Sequence, residues 1–385
     1  MKAPEPGTGA GARGGGDRKG MRKIVFTGGG TAGHVMPNVA LFRQLREEGW
    51  AIHYIGSRNG IERDIVTGLA GFGEIPYYGI STGKLRRYFH PDNFRDPFRV
   101  LKGIWESVRL IRRIGPDLVF SKGGFVSVPV VVAGRLNGVP VIVHESDLTP
   151  GLANRIAMPF ATRICATFPE TMRHLPERKA VLTGSPIREE LFAGDADAGR
   201  RMCGFRRDKP VLIVMGGSLG SRAINRAVRD SLDELLKRVQ IVHICGKGNA
   251  DPALEGRPGY RQFEFAGKEL ADLLAMADAA VSRAGANAIF ELLALEKPML
   301  LIPLSRQASR GDQILNAASF EKRGFCLTLQ EEHLTPERLV RRVHELLDKR
   351  EDIRRRMREA GGKTGNDAIL ALIRDLAAGR GAARR

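Results

Sequence analysis

Short apolar runs, each closed by a glycine-bearing turn, alternate along the chain with stretches in which apolar residues recur every three or four positions. Residues 23–27 (Lys-Ile-Val-Phe-Thr) predict a strand buried on both faces, followed by a Gly-rich turn and a helical pattern over 37–48. Further strands are expected at 51–55, 117–120 and 139–144, with a helix at 128–136 between the last two. The programme then restarts with a strand at 210–215, a second Gly-rich turn at 216–220 and a helix at 222–237. Strands at 240–245, 279–282 and 298–302 and helices at 268–277 and 286–295 follow, before the final helices. Such alternation predicts α/β architecture with parallel sheets covered by helices on both faces. The restart predicts two Rossmann-like halves, joined through the charged, Gly- and Ala-rich stretch 183–208. The halves share little sequence, so this is duplicated architecture rather than a repeat.

A length of 385 residues suits two domains, and 43% hydrophobic with 27% charged residues is a globular composition. The longest apolar stretches, 126–134 and 299–304, fall short of the roughly 18–20 residues of a membrane span. The first twenty residues are Gly-rich and lack an apolar signal core, so they are expected to be a disordered leader, with Met21 an alternative start. Cys165, Cys203, Cys245 and Cys326 are scattered without a CxxC pair, which fits small core residues in a reducing compartment.

A net charge of +18 calls for an anionic partner. No RRM, helix-turn-helix or KH signature is present, which argues against nucleic acid. Between 81 and 115, nine Lys/Arg face three acids, interleaved with Leu85, Tyr88, Phe89, Phe94, Phe98, Ile104 and Trp105. That pattern predicts docking on an anionic membrane surface; the plainer alternative is an amphipathic core helix with a basic outer face.

Six segments at strand ends carry candidate chemistry, each with helix capping or ordinary surface polarity as its bland alternative. Gly28-Gly29-Gly30-Thr31-Ala32-Gly33-His34 allows close backbone approach of a ligand, and His34 can accept a hydroxyl proton. No acidic residue follows the second strand where a dinucleotide site would need one. Ser121 to Pro129, with its Gly pair, is built for a polar ligand, and His144-Glu145-Ser146-Asp147 places two carboxylates and an imidazole at a strand end. Gly216-Gly217-Ser218 opens a helix and can hold a diphosphate, but lacks the lysine of a nucleotide-hydrolysing loop. Glu291, one turn beyond Arg283-Ala284-Gly285, can accept from both ribose hydroxyls; Gln313 and Asn316 suit sugar hydroxyls. Asp195-Ala196-Asp197 has metal-binding spacing but lies in the inter-domain stretch, so no metal is expected.

Taken in order, Gly28–His34 with Pro37, Gly123-Gly124-Phe125-x-Ser127, His144-Glu145 with Pro150 to Asn154, Gly184-Ser185-Pro186-Ile187-Arg188, Gly216-Gly217-Ser218, Arg283-x-Gly285-Ala286 and Gln313-x-x-Asn316-Ala317 resemble the MurG family of UDP-GlcNAc:lipid I N-acetylglucosaminyltransferases. The likeness runs from about residue 21 to 365. It implies a GT-B fold, two Rossmann-like domains facing each other across a cleft: 21–186 for the lipid acceptor, 187–360 for UDP-GlcNAc, and 361–385 returning toward the first domain before a basic tail. It further implies donor contacts from Thr31, Gly33, Arg188, Ser218, Glu291, Gln313 and Asn316. Acceptor contacts would come from Gly123, Gly124, Phe125, Ser127, Asp147 and Asn154, and catalysis from His34 with Glu145. A membrane patch would comprise Leu85, Phe89, Phe94, Phe98 and Trp105. The implied activity is inverting transfer of GlcNAc to the C4 hydroxyl of MurNAc in lipid I, without a metal cofactor, on the cytoplasmic face of the membrane, with other cell-wall synthesis proteins as candidate partners. The alternatives are a UDP-GlcNAc 2-epimerase or a GT-B transferase with another lipid acceptor. The chain departs from the family pattern at Asp147, Leu219 and Asp312.

Overall fold

The computed structural model describes residues 21–69, 73–83, 96–217, 219–307, 309–361 and 364–383. The expected leader, Leu85, Phe89, Phe94 and Ser218 lie outside them. The first sheet contains β1 (Lys23–Thr27), β2 (Ala51–Ser57), β3 (Tyr77–Ile80), β4 (Leu118–Ser121), β5 (Val141–Glu145), β6 (Arg163–Ala166) and β7 (Ala180–Leu182). They run parallel in the order β3-β2-β1-β4-β5-β6-β7. The second comprises β8 (Val211–Met215), β9 (Gln240–Ile244), β10 (Tyr260–Phe263), β11 (Ala279–Ser282), β12 (Met299–Leu301) and β13 (Cys326–Thr328). These are also parallel, in the order β10-β9-β8-β11-β12-β13. In both sheets the order reverses beside the first strand, between β1 and β4 and between β8 and β11, which opens a crevice at the carboxyl ends where open α/β sheets bind ligands.

Central strands are fully buried on both faces, as in Ile24, Val25 and Phe26, which is why they read as unbroken apolar runs. Five strands were not expected: β3, β7, β10 and β13, which are the four sheet edges, and β6 beside one of them. An edge strand packs incompletely, so Tyr-Arg-Gln-Phe suffices for β10 and Tyr-Tyr-Gly-Ile for β3. The expected helix over 222–237 breaks in two, Arg222–Asp230 and Leu232–Leu235. The break comes at Ser231, whose hydroxyl donates to the carbonyl of Ala227 (2.7 Å) and meets that of Pro336 (3.2 Å). Asp195 proves to be a helix cap, accepting from the Asp197 amide at 2.8 Å.

The chain crosses between the halves twice, and the crossings touch. Asn366 accepts from the Ile187 amide (2.8 Å) and donates to the Ile187 carbonyl (2.9 Å), while the Gly365 amide donates to Ser185 (2.7 Å). After this clamp the helix Asn366–Ala383 returns to the first sheet. It seats Ile369, Leu370 and Ile373, all fully buried, in the core that holds Ile24, Phe26 and Leu41.

Candidate active site in the inter-domain cleft

A cavity of about 810 Å³ lies at the carboxyl ends of the first sheet, walled by both Gly-rich turns of that half, the loop after β5, and Arg310 from the second half. The two turns touch backbone to backbone: Gly124 has φ +80°, and a Cβ there would collide with the Gly29 carbonyl. Ser127 is fully buried and closes its turn by donating to the Gly124 carbonyl at 2.8 Å. Phe125 faces the cavity. Gly123, with φ +91°, makes room for Asn154, whose Oδ1 would be 2.9 Å from a Cβ at that position.

His34 lies on the cavity wall, Nδ1 at 3.1 Å from the hydroxyl of Thr31. Desolvation, followed by the positive charge of Lys122, lowers its pKa from 6.5 to about 4, so the ring is neutral and able to accept a proton at physiological pH. Lys122 is 1% exposed and its Nζ lies 2.6 Å from His144 Nδ1. His144 Nε2 faces the Gly184 carbonyl at 3.0 Å. A carbonyl only accepts, so Nε2 carries the proton and Nδ1 receives from the lysine. Burial brings the Lys122 pKa down to about 7.

Both Glu145 oxygens are spent on its own loop: one accepts from the Asp147 amide (2.9 Å), the other from the Gly151 amide (2.9 Å) and Asn154 Nδ2 (2.8 Å). Burial nonetheless raises its pKa, as it does that of Asp147. Asn154 keeps one orphan, its buried Oδ1, which has no partner and lies beside the cavity. That oxygen is packed behind Gly123 and shut off from solvent.

The second half reaches across this loop. Asn316, fully buried, donates to Asp147 Oδ1 (3.0 Å) and the Ala284 carbonyl (3.2 Å) and accepts from the Leu148 amide (3.1 Å). It was expected on the donor sugar; its bonds to Asp147 and Leu148 join the two halves, and its bond to Ala284 stays within the second. Thr149 meets Asp312 at 3.2 Å, and Asn287 donates to the Gly33 carbonyl at 2.7 Å, so Gly33 is also a point of inter-domain contact. Gln313 accepts from the Leu304 amide at 3.0 Å. Arg188 and Glu291 are brought together, Nε to Oε1 at 3.1 Å. Arg283 is the prop beneath the second half's Gly-rich turn, bonding the Ser221 hydroxyl at 2.7 Å and pairing with Glu331. Next to the undescribed Ser218, Leu219 is 81% exposed.

Sequence reasoning missed Glu62, Lys122, Asn287 and Arg310. Lys122 sits within the Ser121 to Pro129 segment and Asn287 directly follows Arg283-x-Gly285-Ala286, but neither carries a pattern of its own, and Glu62 and Arg310 lie outside every motif. Among the described residues no three His, Cys, Asp or Glu side chains gather as a metal site, and no helix is long and apolar enough to cross a membrane. Phe98, Leu101 and Trp105 stand out of the helix Asp96–Ile114 at 74%, 62% and 53% exposure, with the Arg109 guanidinium 3.5 Å over the Trp105 ring.

Comparison with known proteins matches residues 24–166 to the glycosyltransferase family 28 N-terminal domain and residues 211–372 to its C-terminal domain. The UDP-N-acetylglucosamine–N-acetylmuramyl-(pentapeptide) pyrophosphoryl-undecaprenol N-acetylglucosamine transferase of Geobacillus thermodenitrificans is 60% identical over 356 residues, 92% of this chain and 99% of the relative. Its counterpart in Geobacillus kaustophilus is 59% identical over the same coverage. Among solved structures, Acinetobacter baumannii MurG superposes with a TM-score of 0.70 at 24% identity, covering 92% of this chain and 99% of that one, and shares the two-sheet GT-B fold.

Proposed function

The chain belongs to glycosyltransferase family 28, among the MurG transferases, and on that premise we propose how its cleft performs the reaction. It is an N-acetylglucosaminyltransferase that moves GlcNAc from UDP-GlcNAc to lipid I, giving lipid II for peptidoglycan synthesis. Residues 21–186 bind the acceptor and 187–360 the donor. The C4 hydroxyl of the muramoyl sugar attacks C1 of GlcNAc in one inverting displacement, and His34 takes its proton. Asn154 shapes the acceptor side of the cavity, and Glu145 holds the loop that carries Asn154 and Asp147. The departing UDP is stabilised by the Gly216-Gly217-Ser218 turn and Arg188, whose influence grows as charge develops on the leaving phosphate. Glu291 exchanges its Arg188 contact for the ribose, and Gln313 faces the sugar. The exposed Phe98–Trp105 face docks the enzyme on the cytoplasmic membrane surface, apolar side chains inserting while Lys and Arg meet anionic lipid.

The observation that carries this reading is His34, its pKa lowered to about 4, on the wall of a cavity that Arg310 of the second half helps to line. The test is transfer of labelled GlcNAc to a short-chain lipid I analogue, with EDTA present, by wild type and His34→Ala. Transfer in EDTA, a loss of at least 100-fold in the variant and unchanged UDP binding are expected. Wild-type turnover by His34→Ala would remove the base from the mechanism.

A further inference from the structure

Beneath the first Gly-rich turn lies a carboxylate that no motif announces. Glu62, 1% exposed, opens the short helix Ile61–Thr67 and turns inward under Gly28–Gly30. One oxygen accepts from the Gly30 amide at 3.1 Å; the other accepts from the Ser57 amide at 2.9 Å and the Ser57 hydroxyl at 2.5 Å. Three glycines make its chamber. A Cβ at Gly29 would lie 2.5 Å from the carboxyl carbon, one at Gly56 2.9 Å from Cγ, and one at Gly60 would overlap the oxygens. The side chain therefore ties the end of β2 to the turn that carries His34, and it lines the same cavity.

We propose that Glu62 is a positioning residue for the transfer step: it fixes the Gly-rich turn so that His34 faces the acceptor, and it sets a negative charge under the imidazole as the ring gains a proton. This rests on His34 being the base. The charged groups around His34 are Lys122 from the end of β4, Arg310 from the second half and Glu62. The first two oppose an imidazolium, so Glu62 is the group among them that favours it. Tyr54 and Tyr77, which flank Glu62, stay neutral because burial and the carboxylate both raise their pKa values.

Glu62→Gln keeps the volume, but its amide nitrogen cannot accept from Gly30, and the charge is gone. The experiment compares wild type, Glu62→Gln, His34→Ala and the double variant in full-chain transfer assays with the same lipid I analogue. Glu62→Gln is expected to lower kcat on the order of tenfold, with KM for UDP-GlcNAc within about twofold because the donor is held by the other half. The double variant is expected to be no slower than His34→Ala alone, since residues that act through one another are non-additive. Should Glu62→Gln fail to fold, Ser57→Ala removes one donor and keeps the charge, and is expected to lower kcat about two- to threefold with the same coupling. Wild-type kcat in the folded Glu62 variant, a parallel rise in KM for UDP-GlcNAc, or a full tenfold effect persisting in the His34→Ala background would each overturn the inference. If His34→Ala itself turns over like wild type, the base assignment fails and the inference falls with it. A slow His34→Ala with additive Glu62→Gln sinks only the inference.

Discussion

Replacing Lys122 by Met should make the protein more stable. The amine is 1% exposed, and desolvation brings its pKa from 10.5 to about 7, with Glu145 and Asp147 countering only part of that fall. The unfolded chain holds its lysine proton up to about pH 10.5, whereas the folded chain releases it near 7. Between those values the unfolded state binds more protons, so this residue's penalty shrinks as pH rises; below 7 it is constant and largest. At its largest the penalty is roughly 5 kcal/mol. Methionine removes it but leaves His144 Nδ1 without its donor, a cost of about 1–3 kcal/mol. The balance is a stabilisation of roughly 2–4 kcal/mol at pH 6–7, or several degrees in the melting temperature. Calorimetry or circular-dichroism melts of both proteins from pH 6 to 10 measure it. The melting temperatures should differ most at the acid end and converge toward pH 10. A variant less stable than wild type at pH 7, or a difference that ignores pH, refutes the reasoning.

Asn316→Ala should cost about 2–4 kcal/mol of stability by denaturant titration, because it strands the Leu148 amide and removes two further hydrogen bonds; unchanged stability with a raised KM for UDP-GlcNAc would instead favour its expected place on the donor sugar. Phe98→Ser combined with Trp105→Ser should cut sedimentation with anionic liposomes several-fold while transfer to a soluble acceptor survives, and sedimentation equal to wild type would discard the membrane-facing role of this helix.

What the chain's pattern disclosed follows what burial imposes. Central strands must be apolar on both faces, so β1, β4, β8 and β11 were visible, whereas edge strands such as Tyr260–Phe263 escape because one margin meets solvent. The Gly-rich turns and His34 were legible because backbone approach to a ligand demands glycine at fixed spacing. Glu62 was not, since its importance comes from Gly29, Gly56 and Gly60, which only folding brings around it. Asn316 was seen as polar and well placed, but its partner Asp147 is 169 positions away, and periodicity says nothing about such a pairing.

The clasp between Ile187 and Asn366 also bears on how this protein can be dissected. A fragment cut at residue 186 would present Ile24, Phe26 and Leu41 to water where Ile369, Leu370 and Ile373 should cover them. The first half is therefore discontinuous in the gene, its final helix encoded after the whole of the second half. A chimera that exchanges the second half must splice at both crossings and keep 366–383 with the first sheet. Because the crossings are stitched to each other, the covalent links between the halves run through one joint and not through two separate tethers.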